Sequence, residues 1–160
     1  MDASERIERV SSAAADQYPD ALDLKLCFDI YATNLAFARL YGPLLEPHGL
    51  TYPQYLVLTL LWERDGRSLG ELGQVLDLKS STLTPVLKRL DAAGLVLRRR
   101  ERGDERRVRV TLTRAGREMR EALRHVPDCI ERAAGLDEAR INALQEQLRA
   151  VRANLRRAAG

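Results

Sequence analysis

The sequence predicts a mainly α-helical chain carrying one small β-hairpin. Two long stretches place apolar residues at three- and four-residue steps, at about 22–45 and 141–155. Between them, short helical patterns opened by hydroxyl caps follow closely on one another. Two β-branched, arginine-rich segments around Gly103 then break the helical period. One domain is expected of 160 residues, enough to bury a core.

Taken in order, residues 1–20 are an N-terminal extension rich in alanine and serine, compatible with a loose helix or with disorder. The remaining 21–160 read as a single unit. A helix is expected from about Leu22 to Leu45, its stripe made by Leu24, Cys27, Phe28, Tyr31, Leu35, Ala38, Tyr41 and Leu45. Pro47, His48 and Gly49 end it. Thr51 and Gln54 form a capping box for a helix to about Glu63, and Asp65-Gly66 is a turn. Ser68 and Glu71 form a second box, for a helix ending near Leu76. A third helix, from about Ser80 to Ala93, is closed by Gly94. Lys79 stands where an acidic or small cap is expected, which points to Ser80 or Asp77 as the cap.

Leu95–Arg100 and Arg107–Leu112 are the two strands, joined by a polar turn over 101–106. Thr113 caps a helix expected to reach about Ala134. Asp137 caps the last helix, whose Ile141, Leu144, Leu148, Val151 and Leu155 step 3, 4, 3, 4 like a coiled-coil seam. Short helices followed by a hairpin give a winged helix-turn-helix with its core at 51–113. The helices at 22–46 and 114–158 flank that core, and the apolar seam at 141–155 needs a partner surface.

Charge distribution narrows the function. The net charge is +3, yet Arg98 to Arg109 holds seven arginines against three acids, +4 in twelve residues. A local excess of this kind points to a polyanion. No run of 18 apolar residues is present, so no membrane span is expected. The first twenty residues lack the apolar core of a secretory signal. Two cysteines without metal-ligand spacing make neither a disulfide framework nor a metal site, and the expected compartment is the reducing cytoplasm. His48 and His125 are isolated, no phosphate-binding glycine loop is present, and no cofactor is expected.

The third helix opens Ser-Ser-Thr-Leu-Thr-Pro, with small hydroxyls beside backbone N–H groups that point at anions. Leu83, Val86, Leu87 and Leu90 form its apolar stripe. Ser80, Ser81, Thr82, Thr84, Lys88 and Arg89 are then the candidates to face double-stranded DNA. At the hairpin tip, Arg106 and Arg107 suit a narrow minor groove and its phosphates, with Asp104 placed to orient Arg106 by a bidentate pair. Each cluster alone reads as an ordinary cap or a solvated loop. Their succession within 30 residues favours nucleic acid.

These residues resemble the multiple antibiotic resistance regulator (MarR) family. The resemblance rests on Leu83-Thr-Pro-Val-Leu-Lys-Arg-Leu90, Ala93-Gly-Leu95, Asp104-Glu-Arg106 and Leu112-Thr-Arg-Ala-Gly116. Two further segments, Leu26-Cys-Phe-Asp-Ile-Tyr31 and Leu50-Thr-Tyr-Pro-Gln-Tyr-Leu56, look like its organic hydroperoxide resistance branch. The resemblance covers about 22–157 and implies an intertwined helical homodimer that represses transcription until oxidised. It makes Cys27 the peroxide-reactive cysteine, surrounded by Tyr31, Tyr41 and Tyr52, and Asp104 and Arg106 the wing-tip pair. Cys129 is either the resolving cysteine for Cys27 of the partner subunit or inert, because it lies about a turn before the family's usual position.

The residues themselves give Cys27 a partial case. It falls within two turns of the expected helix start, where the macrodipole favours a thiolate modestly. Tyr31 lies at i+4 on the same face, and Leu26, Phe28 and Ile30 offer apolar surface to an organic hydroperoxide. A lone cysteine on an amphipathic helix is otherwise most often a small core residue. The alternative is a regulator of the same fold gated by a small lipophilic or phenolic ligand, without cysteine chemistry. An enzyme is not expected: Leu24 stands where a peroxidase-type site would place a threonine.

Overall fold

The computed structural model describes residues 26–101 and 104–159, without the side chains of 101 and 104–107. The expected extension at 1–20, the helix start near Leu22 and the hairpin tip at Gly103 lie outside the described residues. Helix α1 covers Leu26–Leu45, a 3-10 turn follows at Glu46–His48, and α2 runs over Tyr52–Glu63. Then come β1 (Arg67–Ser68), α3 (Leu69–Leu76), α4 (Ser80–Ala92), β2 (Val96–Glu101) and β3 (Asp104–Leu112). Helices α5 (Arg114–Ala122), α6 (Val126–Ala134) and α7 (Glu138–Ala158) complete the chain. This is the mainly helical, winged architecture expected. The chain divides between Pro43 and Leu44 into two compact units.

In the first unit, α1 leaves Leu26, Ile30, Tyr31, Leu35 and Phe37 exposed. The second unit has the core. Tyr55, Val57, Leu58 and Leu61 of α2 are buried, with Leu72 of α3 and Leu83, Leu87 and Leu90 of α4. Leu95, Val96, Val110 and Leu112 bring the hairpin onto this core, and Leu123, Val126 and Ile130 extend it. Each such side chain contributes about 1.5–3 kcal/mol relative to leaving it in water. The last helix adds no buried residue.

Caps fix the element starts. Gln54 Oε1 accepts from the Thr51 N–H at 2.8 Å and the Thr51 hydroxyl at 3.0 Å. The second box is reciprocal: Ser68 N–H donates to Glu71 Oε2 at 2.7 Å, and Glu71 N–H to Ser68 Oγ at 3.2 Å. Thr113 and Asp137 accept from Gly116 N–H and Arg140 N–H, as their positions predict. Gly94 closes the α4 turn at φ 70°.

Four expectations need correction. The helix expected from Thr113 to Ala134 breaks into α5 and α6. Pro127 has no N–H to give the Leu123 carbonyl and its ring clashes there, so it serves as a first-turn residue of α6. The N-cap of α4 is Lys79, with no side-chain bond, while Asp77 caps the C-terminal end of α3. The hairpin turn is shorter than 101–106, because β2 runs to Glu101 and β3 starts at Asp104. A third strand also joins the wing: β1 pairs antiparallel with β3, Arg67 opposite Val110, giving the order β1-β3-β2.

Asp65 locks that strand down. Its Oδ1 accepts from Gly66 N–H and Leu112 N–H, both at 2.8 Å, while Oδ2 meets Arg117 Nη1 at 3.0 Å. One carboxylate thus joins the α2–β1 turn to β3 and α5. Nearby, Trp62 Nε1 donates to the Gly116 carbonyl at 2.8 Å.

Candidate functional site

Helix α4 follows α3 after Asp77-Leu78-Lys79, as the second helix of a helix-turn-helix. Its Leu83, Leu87 and Leu90 are fully buried, which orients the rest of the helix outward; Val86 is half-buried. Ser80, Ser81, Thr82, Lys88 and Arg89 are exposed together on the outer side. Thr84 differs, being half-buried, and its hydroxyl donates to the Ser80 carbonyl at 2.7 Å. That back-bond takes its only proton, so toward a nucleic acid it acts as an acceptor.

The wing arginines divide into two roles. Arg98 is half-buried and pairs with Asp91 at the end of α4 at 3.2 Å, tying the wing to that helix. Arg109 Nη1 donates to the Gly66 carbonyl. Arg99 and Arg100 are exposed. The register sets Arg99 directly opposite Arg109. Like charges facing across strands are destabilising on their own, and here Arg109 is engaged with the Gly66 carbonyl. The expected sites omitted that pair; only the register, hidden in a turn misjudged by several residues, reveals it. Asp104, Arg106 and Arg107 lie on β3, and their side chains fall outside the described residues.

Cys27 is exposed in the first described turn of α1, with Tyr31, 59% exposed, one turn later. Tyr41, half-buried, is on the same helix. Tyr52 and Cys129 belong to the second unit: Tyr52 is exposed as the first residue of α2. Cys129 is half-buried in α6 and accepts a long hydrogen bond from Arg132 Nη2 at 3.5 Å. A separate cavity of about 560 Å³ is lined by Tyr55, Thr59, Trp62, Arg120, Leu123 and Arg124, among others. Burial raises the Tyr55 hydroxyl above its ordinary pKa. Among the described residues no cluster of three metal-ligating side chains occurs, and no helix is long and apolar enough to cross a membrane.

Comparison with known proteins agrees with this geometry. A family model described as transcriptional regulator SarA/Rot matches residues 39–123. The HTH-type transcriptional regulator TtmR of Methylorubrum extorquens is 46% identical over 153 residues, covering 94% of this chain and 77% of that one. The organic hydroperoxide resistance transcriptional regulator of Bacillus subtilis is 42% identical, covering 68% of this chain and 74% of the relative. Among solved structures, reduced AbfR bound to DNA superposes with a TM-score of 0.71 at 38% identity, covering 81% of this chain and 92% of that one. The first two of these relatives are transcriptional regulators. With its helix-turn-helix, three-stranded wing and flanking helices, the chain belongs to the MarR family of winged-helix transcriptional regulators.

Proposed function

We propose that the chain is a homodimeric, cytoplasmic repressor that binds operator DNA through α4 and the wing and releases it when an organic hydroperoxide oxidises Cys27. The observation that carries the redox half is an exposed Cys27 with Tyr31 one turn away, in a chain 42% identical to a regulator named for organic hydroperoxide resistance. The DNA half is supported by the outward Ser80, Ser81, Thr82, Lys88 and Arg89, and by a neighbour whose structure was solved on DNA. The dimer is supported by α1 and α7, whose Leu26, Leu35, Phe37, Leu144, Leu148 and Leu155 lie exposed in the single chain. Such surface is what a partner copy covers.

The chemistry follows from the thiolate. Its sulfur attacks the peroxide O–O bond, takes up the terminal hydroxyl and becomes a sulfenic acid; the alkoxide leaves and picks up a proton as the alcohol. Tyr31, one turn away, donates to the sulfur before oxidation and the bulkier polar product disturbs that bond, while Tyr41, about 21 Å further along the same helix, serves the sulfur of the partner subunit. The helices then carry the two α4 helices off their half-site spacing of about 34 Å. Asp104 orients Arg106 at the wing tip, and Arg107 meets phosphate. The sulfenic acid ends as a disulfide, with loss of water, to Cys129 of the partner subunit or to a small thiol.

The test is binding to DNA upstream of the chain's own gene, before and after one equivalent of organic hydroperoxide, for wild type and Cys27→Ser. Loss of binding in wild type alone is expected. An intact Cys27→Ser protein that still lets go on oxidation rules the mechanism out. Non-reducing electrophoresis assigns the resolving thiol: a crosslinked dimer absent from Cys129→Ser identifies Cys129. A second reading, release by a small lipophilic or phenolic ligand, is favoured by the 560 Å³ cavity, with an aromatic wall and two arginines. Unchanged binding in both proteins after oxidation, with release by such a ligand, selects it.

A further inference from the structure

We propose that Arg156 is a positioning residue, pinning the turn in front of α4 to the C-terminal end of α7. The turn is tightly built. Asp77 closes α3 in the left-handed region at φ 57° and ψ 40°, and among the described residues it is the only non-glycine at positive φ. Its N–H and that of Leu78 both donate to the Gly73 carbonyl, the latter at 2.9 Å. A Cβ on Gly73 would lie 2.8 Å from the Leu78 carbonyl oxygen, so the turn is pressed against α3. An aspartate tolerates this backbone, and glycine would adopt it at less cost. What aspartate adds is a carboxylate.

That carboxylate is engaged from afar. Oδ2 of Asp77 accepts from Arg156 Nη2 at 2.8 Å and from Nε at 3.2 Å, across 79 positions of sequence. Two N–H groups converging on one oxygen define a direction as well as a charge. Arg156 sits in the last turn of α7, a helix of 21 residues with no buried side chain. Core packing therefore does not hold that end of the helix, and the ion pair joins it to the helix-turn-helix. Both side chains are about half-exposed, 47% and 61%, so the pair adds little to global stability. Its effect is local: the backbone that sets the approach of α4 is held by a group on α7. The consequence for DNA rests on the function proposed above, in which α7 belongs to the dimer interface. A shift at that interface then reaches α4 through Arg156.

Hydrogen exchange on the free protein tests the pin, with Asp77→Asn, which still tolerates the left-handed turn, Arg156→Gln, Arg156→Lys and the Asn/Gln double variant. The hydrogen-bonded amides of Leu78, Thr82 and Leu83 should exchange about two- to fivefold faster in either neutral variant, while α2 amides keep their wild-type rates. The double variant should be no faster than the singles, and Arg156→Lys should retain part of the protection. Operator affinity should fall by a similar factor with an unchanged salt slope, because Arg156 meets a carboxylate and not a phosphate. Unchanged exchange overturns the proposal. So do additive effects in the double variant, or a slope shallower by about one. A wild type that prefers no DNA counts against the proposed function instead, and the exchange rates still decide the pin.

Discussion

Replacing Gly116 by alanine separates helix propensity from tertiary fit, because the two predict opposite signs. Gly116 lies in the first turn of α5 without a positive φ, so an alanine there gains up to about 1 kcal/mol of intrinsic helix propensity. Its new Cβ, however, would sit 2.0 Å from the Leu95 carbonyl oxygen and 3.1 Å from Leu112 Cδ2. Relief needs a backbone displacement of about 1 Å, since carbon–oxygen contacts do not close much below van der Waals distance. That oxygen accepts from Thr113 N–H at 3.0 Å and Thr113 Oγ1 at 3.2 Å, while the Gly116 carbonyl holds Trp62 Nε1 at 2.8 Å. Losing two of these costs about 1 kcal/mol each. Strain from the forced fit adds about 1–3 kcal/mol.

The net is destabilisation by about 2–4 kcal/mol, a large fraction of a domain's usual margin. Urea unfolding at one fixed protein concentration reads it as a midpoint lowered by roughly 1–2 M at unchanged m. Gly70→Ala is the control: its Cβ meets only Ser68 Oγ, at an ordinary 3.9 Å, so its midpoint should hold or rise. A Gly116→Ala midpoint at or above wild type would falsify the argument that the wing–α5 junction requires glycine.

Asp65→Ala leaves the Leu112 N–H and Arg117 without their acceptor, and should cost about 1–3 kcal/mol in the same assay; a loss below 0.5 kcal/mol, of the order of a neutral surface change, would refute its role as a junction. Glu71 has its pKa lowered to about 2, first by the Ser68 N–H and then by Arg64. A depressed folded pKa gives stability that is present above the usual carboxylate range and lost as pH falls toward 2. Glu71→Gln keeps an acceptor for Ser68 but should flatten that acid limb of the stability profile; identical acid limbs would remove Glu71 as a contributor. Leu148→Asp, on the exposed seam of α7, should shift sedimentation toward monomer, whereas an unperturbed dimer would place the interface elsewhere. Lys79→Asp supplies α4 with a side-chain cap worth about 1 kcal/mol, yet should weaken operator binding about tenfold by setting a carboxylate where the proposed function docks phosphate. Unchanged operator affinity would detach the α4 N-terminus from the DNA.

Local chemistry made most of the fold legible. Thr51, Ser68, Thr113 and Asp137 are each the N-cap their neighbours predict, and Gly94 turns the chain where its φ freedom is needed. What failed did so because the partner is distant or the pattern too short. Two residues of β1 have no periodicity to detect, and Asp65 looks like a turn residue until Leu112, 47 positions on, donates to it. Pro127 interrupts a helical pattern that continues in register on both sides. The hairpin turn looked long because its flanks, Glu101 and Asp104 to Arg106, are polar like a loop while paired or extended like strands. For Cys27 the sequence supplied the face and the Tyr31 spacing, but exposure depends on what packs against α1, which no spacing encodes.

The misplaced cap at α4 is the informative failure. Four other helices here receive a side-chain cap or box at their N-terminus, and the sequence rules for caps found all four. At α4 the cap position holds a lysine that makes no side-chain cap bond, and beyond it stand exposed Ser80, Ser81 and Thr82. The helix thereby forgoes about 1 kcal/mol that a serine or aspartate at position 79 would supply. Its first N–H groups keep their hydrogen-bonding capacity for a group outside the chain, beside a cation and three hydroxyls. An anion is what such an end accepts. Under the proposed function, the rule for stability and the rule for recognition conflict at this residue, and Lys79 follows the second.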